Sequence, residues 1–349
     1  MADIKFGLDT FGDLPTNDHG ELLSYAEALR EVVAEAVLAD KLGVDVISLG
    51  EHHREEFAIS SPETVLAGIA TQTQRITLST GVTVLSSDDP IRVFERFATL
   101  DALSNGRAQV MLGRGSFTES FPLFGYDLQD YDALFEEKIA MFAKILEEGK
   151  LNWPGGEFTQ KIDNLDIFPK TASGKLDTWV GVGGSPESII RAARYGFPVI
   201  LAIIGGDPAR FKPYVELYKR AAAQLNTPIL PMAMHSHGFI ADTQEEAVEM
   251  AFKNIKKAFD KIGVTRGWAP MSREHFENEI KNGSFYVGTP EFVAQRIAKS
   301  IQTLGVERFD LVYGAGEQPV SARQHMIELY ANEVIPRVRE LLAEANNED

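Results

Sequence analysis

Short apolar runs alternate with longer stretches of helical periodicity from one end of the chain to the other. The apolar, β-branched runs predict strands at Ile4–Leu8, Val44–Leu49, Ile76–Leu85, Ala108–Leu112, Thr178–Val182, Val199–Ile203, Met232–Ile240 and Phe309–Tyr313. Between them, apolar residues recurring every three or four positions predict helices over Leu22–Leu42, Pro62–Gln74, Pro90–Ser104, Tyr131–Glu148, Pro186–Tyr195, Pro208–Leu225, Gln244–Ile262 and Pro290–Leu304. A last one covers Ala322–Ala345. Five of these helices open on a proline, whose missing N–H has no helical partner at the first position anyway. Eight strand–helix units predict an α/β fold, a single (β/α)8 TIM barrel over residues 1–349 with insertions at about 150–177 and 265–288. A doubly wound sheet shares the alternation, and the pattern alone does not decide closure.

Composition narrows the function. With 349 residues, 44% of them hydrophobic, the chain can bury a large core. Its formal net charge of −17 argues against a nucleic-acid partner, because neutralising phosphates in bulk needs a basic face. There is no apolar run of membrane-spanning length and no basic-then-apolar leader, so a cytoplasmic chain with no membrane partner is expected. The absence of cysteine excludes disulfides, thiolate metal sites and a cysteine nucleophile.

In a barrel of this kind the chemistry lies at the carboxyl ends of the strands. The fifth strand runs into Gly181-Val182-Gly183-Gly184-Ser185-Pro186-Glu187-Ser188, a glycine turn followed by a helix start with Ser185 as N-cap. Free N–H groups at a helix start suit a phosphate. Arg114, in Gly113-Arg114-Gly115-Ser116 after the fourth strand, can supply the countercharge. After the second strand comes Glu51-His52-His53-Arg54-Glu55-Glu56, where a histidine is suited to moving protons near neutral pH. On the seventh strand, His235 and His237 share a face by the strand's period of two, and with His52 and Asp310 they would make a conceivable metal set. That set lacks clear ligand spacing, so no metal residue is assigned; it leaves a metal-dependent barrel hydrolase as an alternative. Asp101-Ala102-Leu103-Ser104-Asn105-Gly106-Arg107 and Asp89-Pro90 are most simply helix caps.

Several of these segments, taken together and in order, resemble the bacterial-luciferase-like flavin monooxygenases. The resemblance rests on Leu49-Gly50-Glu51-His52-His53, on Ser79-Thr80-Gly81-Val82 leading to Asp89-Pro90-Ile91-Arg92, and on Thr99-Leu100-Asp101 with Leu103-Ser104-Asn105-Gly106-Arg107. It continues through Gly113-Arg114-Gly115 and Gly183-Gly184-Ser185-Pro186-Glu187-Ser188, and so covers roughly the first two hundred residues. Within the family the chain is most similar to oxidoreductases that share the loop Gly115-Ser116-Phe117-Thr118-Glu119-Ser120-Phe121.

The resemblance implies FMN as cofactor, with reduced FMN as a possible cosubstrate delivered by a separate flavin reductase, and transfer of one oxygen atom of O2 to a small organic substrate. It implies that His52 is the catalytic histidine and that Arg114, Gly183, Gly184, Ser185 and Ser188 hold the flavin phosphate. It implies, too, that Gly81-Val82 forms a cis peptide under the flavin ring. A homodimer through Pro62–Gln74 and Pro90–Ser104 is expected; the second of these carries Val93, Phe94, Phe97, Leu100 and Leu103, more apolar surface than one buried face needs. The two insertions are expected to cover the substrate. Where luciferase has a reactive cysteine this chain has Gly113, so light-emitting aldehyde chemistry is not implied. The family also includes dehydrogenases that use the deazaflavin F420, which keeps that cofactor, and a flavin-binding protein without catalysis, as further alternatives.

Overall fold

The structure is a computed structural model that describes residues 4–348 apart from 116 and 148. Strand β1 (Lys5–Thr10) leads through helix α1 (Tyr25–Leu42) to β2 (Val46–Leu49), and α2 (Pro62–Ala70) leads to β3 (Thr77–Thr80), which continues after a break as β4 (Thr83–Val84). Helix α3 (Pro90–Leu103) and β5 (Gln109–Gly113) follow, then α4 (Ser120–Phe124), α5 (Tyr131–Ile145) and a small antiparallel hairpin, β6 (Leu151–Trp153) and β7 (Ile162–Leu165). The barrel resumes with β8 (Asp177–Val182), α6 (Pro186–Tyr195), β9 (Val199–Ala202), α7 (Lys212–Leu225) and β10 (Met232–Ile240). After α8 (Gln244–Arg266), α9 (Arg273–Lys281), β11 (Tyr286–Gly288) and α10 (Pro290–Leu304), strand β12 (Arg308–Val312) completes it, and α11 (Val320–Leu329) and α12 (Ile335–Glu348) run on through a π turn.

All eight expected strands are present, paired in parallel in the order β3-β2-β1-β12-β10-β9-β8-β5-β4. The Leu78 N–H donates to the Arg107 carbonyl at 2.9 Å, so β3 also meets the residues before β5 and the sheet curls into a nearly closed barrel. Local sequence sets the helix starts: the Ser24 and Glu27 side chains form a reciprocal capping box for α1, and Asp89 accepts the Ile91 and Arg92 N–H groups ahead of Pro90. At the far end of α3, Asn105 and Gly106 take the left-handed conformation, as their pairing in the sequence predicts. The helix expected to reach Glu148 is described as far as Ile145; Glu148 itself lies outside the described residues. Among the described residues no helix is long and apolar enough to cross a membrane.

Apolar side chains fill two separate spaces. The larger, between sheet and helices, takes Phe6, Leu8, Ile47, Leu49 and their counterparts around the ring. The smaller lies inside the barrel and consists of Met111, Trp179, Ile200 and Ala233 with Val82 against them. Towards the amino ends of the strands, Arg308 closes the interior, with Nη2 on Asp310 at 2.5 Å and on Ser48 at 3.1 Å, and Nη1 on Gln109 at 2.6 Å. A guanidinium this deep is tolerable because Asp310 is its counter-ion and Ser48 and Gln109 accept hydrogen bonds from it.

The peptide between Gly81 and Val82 is cis, and Val82 points into the barrel. Gly113 on β5 and Gly181 on β8 make room for it: a Cβ on Gly181 would stand 2.7 Å from a Val82 methyl.

Two expectations need correction. Val93, Phe94, Phe97 and Leu100 are at most 7% exposed and belong to this chain's own core, so of the apolar residues on α3 assigned to a homodimer only Leu103 remains at the surface. The first insertion does not cover the strand ends but runs down the outside of the barrel, with Thr159 bonded to Glu137 on α5 and Ser173 to Asp101 on α3. The second insertion carries α9 and adds β11 beside β10.

Replacing Gly181 by valine is expected to destabilise the fold by about 1–3 kcal/mol through overpacking. Adding Val82→Ala to that variant is expected to recover part of the loss in chemical denaturation; full wild-type stability in Gly181→Val alone would show that the space is free.

Candidate active site

At the carboxyl end of the barrel lies a cavity of about 350 Å³, a usual size for a small-molecule site. Val82, Met111, Ile200 and Val312 give it an apolar lining, and His52, Arg114 and His235 bring polar groups to it. Of the residues picked from the sequence, His52, Gly81, Val82, Arg114 and Gly183 line the cavity directly. Gly184, Ser185 and Ser188 stand behind its rim and join it through Arg114, whose Nη2 lies 3.3 Å from Ser188 Oγ.

The rim is built by α6. Ser185 is its N-cap: Ser185 Oγ accepts the Ser188 N–H at 3.2 Å and lies 3.0 Å from Ser188 Oγ. Gly184 precedes it with φ +100°, a left-handed value that only glycine takes without penalty. The neighbouring positions of β5 and β8 in the sheet bring Arg114 to this helix start. A second guanidinium, Arg191, reaches Ser188 Oγ at 3.4 Å from one turn further along α6; it is 8% exposed and anchored on Glu136. Arg114 is steadied by Asp132 at 2.5 Å and by the Tyr131 ring beneath it. Two guanidinium groups, two hydroxyls and a helix start on one spot are groups of the kind that attract an anion. Ser116, between Gly115 and Phe117, lies outside the described residues.

The opposite end is built by the segment after β2. His52 is 8% exposed, packed on Phe11, Phe57 and Phe117 at centroid distances of 5.0, 4.7 and 4.5 Å, with Nδ1 3.4 Å from Glu119 Oε1. Burial draws the Glu119 carboxyl upward, but its hydrogen bonds with His52 and with backbone N–H groups outweigh this and hold it below the usual range. His53 turns the other way, onto Glu51 at 3.0 Å, and the second oxygen of Glu51 accepts the Val84 N–H at 2.8 Å. The Glu51 hydrogen bond pushes His53 upward against burial.

Nothing in the local sequence around Glu119, Asp9 or Arg191 marks them as site residues. Glu119 stood inside a quoted loop, but nothing local marks it as the partner of a histidine 67 positions away. Arg191 follows Ser188 by three positions on a helix, a spacing that places it on the same face.

The metal set proposed from the sequence does not assemble. Asp310 is taken by Arg308, His235 by Asp9 at 2.8 Å, and His52 by Glu119; among the described residues no three of these side chains could share an ion. His237 is pushed down to about 3 by burial and stands beside Phe259 and Phe285.

The profile of the luciferase-like monooxygenases matches residues 10–308. The chain belongs to this family. The alkanal monooxygenase alpha chain of Photobacterium leiognathi is 26% identical over 348 residues, covering 91% of this chain and 95% of its own. Among solved structures, the oxygenating constituent of 3,6-diketocamphane monooxygenase from Pseudomonas putida, in complex with FMN, has a TM-score of 0.77 at 20% identity, covering 97% of this luciferase-like monooxygenase and 99% of its own chain. An F420-dependent secondary alcohol dehydrogenase has the same fold, with a TM-score of 0.75 at 15% identity over 96% and 99% of the two chains.

The anion end and the apolar middle of the cavity fit a flavin phosphate and ring. The glycines at 113 and 181 leave room for Val82 in the floor, and a Cβ on Gly113 would collide with it, so this luciferase-like monooxygenase has no room there for the cysteine of luciferase.

His53 offers a pH test. Its folded value lies above the ordinary 6.5, so the stability its protonation adds is fully present below the unfolded value and is lost as pH rises through the folded one. In Glu51→Gln the His53 titration followed by NMR is expected to move down towards the ordinary value; an unmoved midpoint would contradict the assignment.

Proposed function

We propose that this chain is an FMN-dependent monooxygenase that takes flavin reduced by a separate reductase and oxygenates a small organic molecule. One observation carries the reading: Arg114 meets Ser188, itself bonded to the Ser185 cap, at the start of α6, and it lines the same cavity as Val82 and His52. Arg114, Ser185 and Ser188 hold the phosphate, with Arg191 behind Ser188 and Gly183 and Gly184 letting the backbone approach. Gly81 and Val82 support the ring. When bound and reduced, the flavin supplies the electrons that activate dioxygen.

The protein's own part is to bind, orient and keep water out. Phe11, Phe57 and Phe117 shield His52 from solvent, and Glu119 engages its Nδ1, which leaves Nε2 to handle a proton of the bound molecule. A homodimer through α2 and α3 is part of the same proposal, and rests on the family resemblance now that the apolar residues of α3 are accounted for within the chain.

Replacing Arg114 by alanine is expected to weaken FMN binding by about 2 kcal/mol, roughly thirtyfold, as for a lost charge-assisted hydrogen bond. Calorimetry with FMN and, in parallel, F420 checks it: unchanged FMN affinity removes Arg114 from the site, and a clear preference for F420 replaces the monooxygenase reading with a dehydrogenase one. His52→Gln is expected to keep FMN affinity and to lower turnover of reduced flavin about a hundredfold; full turnover would end the role given to His52.

A further inference from the structure

A second histidine–carboxylate pair opens on the same cavity from inside the barrel. Asp9, on the inward face of β1, is 1% exposed, and its Oδ2 lies 2.8 Å from Nδ1 of His235 on β10. Gly81 stands against the carboxylate: a Cβ there would come 2.8 Å from Asp9 Oδ2. The other oxygen, Asp9 Oδ1, is buried and has no hydrogen-bond partner among the described residues. His235 lines the cavity beside Val82, Ala202 and Val312, with its Nδ1 edge turned to Asp9 in the wall. An imidazole held at Nδ1 presents Nε2 on the far side of the ring, and the partner at one nitrogen decides which of them carries the proton.

We propose that Asp9 and His235 form a proton-holding pair for the reaction, in which Asp9 positions the ring by accepting the Nδ1–H and His235 exchanges a proton with the bound organic molecule at Nε2. It rests on the proposed occupancy of the cavity. In the donating direction the Nε2–H bond breaks, the electron pair stays on nitrogen and the proton forms an O–H bond on the bound molecule. The Nδ1–H bond persists, and the pair goes from neutral to a single negative charge. Burial fits the neutral resting form. It pushes the Asp9 carboxyl up, with the nearby charge of Asp310 adding to this, while His235 and Arg308 pull the other way. A carboxylate is least costly there when its neighbour is an imidazolium.

The tautomer of His235 reports the contact with Asp9, and the response of Nε2 to a molecule in the cavity separates a proton-exchanging pair from a purely structural contact. Long-range proton–nitrogen NMR spectra of the unligated protein with labelled histidine are the test, the His235 signals being identified by their loss in His235→Gln. Nδ1 is expected to stay protonated at every pH while Nε2 alone titrates, and Asp9→Ala is expected to move the neutral ring to the Nε2–H form. A neutral wild-type ring with a bare Nδ1 overturns the proposal, and that measurement needs no Asp9 variant to fold. Adding FMN is then expected to shift the His235 Nε2 signal. Binding seen by calorimetry with that signal unmoved also overturns it. Absence of FMN binding with Nδ1 protonated supports the pair and contradicts the flavin reading, so the two failures are distinguishable.

Discussion

Val82 is the side chain on which the upper half of the barrel rests. A barrel interior must be filled to the density of a solid, yet an active site needs empty space at the strand ends, and the boundary between the two has to be set by particular atoms. Here the valine methyls lie where side chains at 113 and 181 would be, above Met111, Trp179, Ile200 and Ala233. Below them Arg308 and its acceptors seal the amino-terminal mouth. Above them begins the cavity, and each group assigned a role in the reaction stands on or around that floor.

Electrostatics divides the labour between the two ends. The chain carries a net charge of −17, which repels an anionic ligand at long range, but screening limits that field to about 8 Å at physiological ionic strength. Inside that distance the anion end is governed by Arg114, Arg191 and the start of α6. The histidines work in the opposite sense: His52 and His235 both line the cavity and each has a carboxylate at Nδ1, which leaves Nε2 as the edge the proposal uses. Glu119 and Asp9 hold the two rings in place without any ligand.

Local features of the chain were legible and long-range ones were not. The eight strands and the helix starts at Pro62, Pro90, Pro186 and Pro290 follow from periodicity and proline placement, which report on neighbours a few residues away. The glycine turn at Gly183 and Gly184 was equally visible, and at Gly184 the left-handed backbone explains the residue. The pairing of Asp9 with His235 spans 226 positions and appears only when β1 and β10 flank β12 in the closed barrel. The apolar residues of α3 misled for a related reason: a helix between the sheet and two neighbouring helices buries more than one face, so its apolar count does not imply a partner chain. The course of the first insertion depends on Asp101 and Glu137 receiving Ser173 and Thr159, contacts that no local pattern announces.

The central claim is that one cavity holds FMN with its phosphate at the start of α6 and its ring over Val82. A crystal structure of the protein soaked with FMN tests it most directly. Density for the phosphate within hydrogen-bonding distance of Arg114, Ser185 and Ser188, with the ring resting on Val82, is the result predicted. A phosphate bound elsewhere, or a ring that leaves Val82 uncovered, would contradict it.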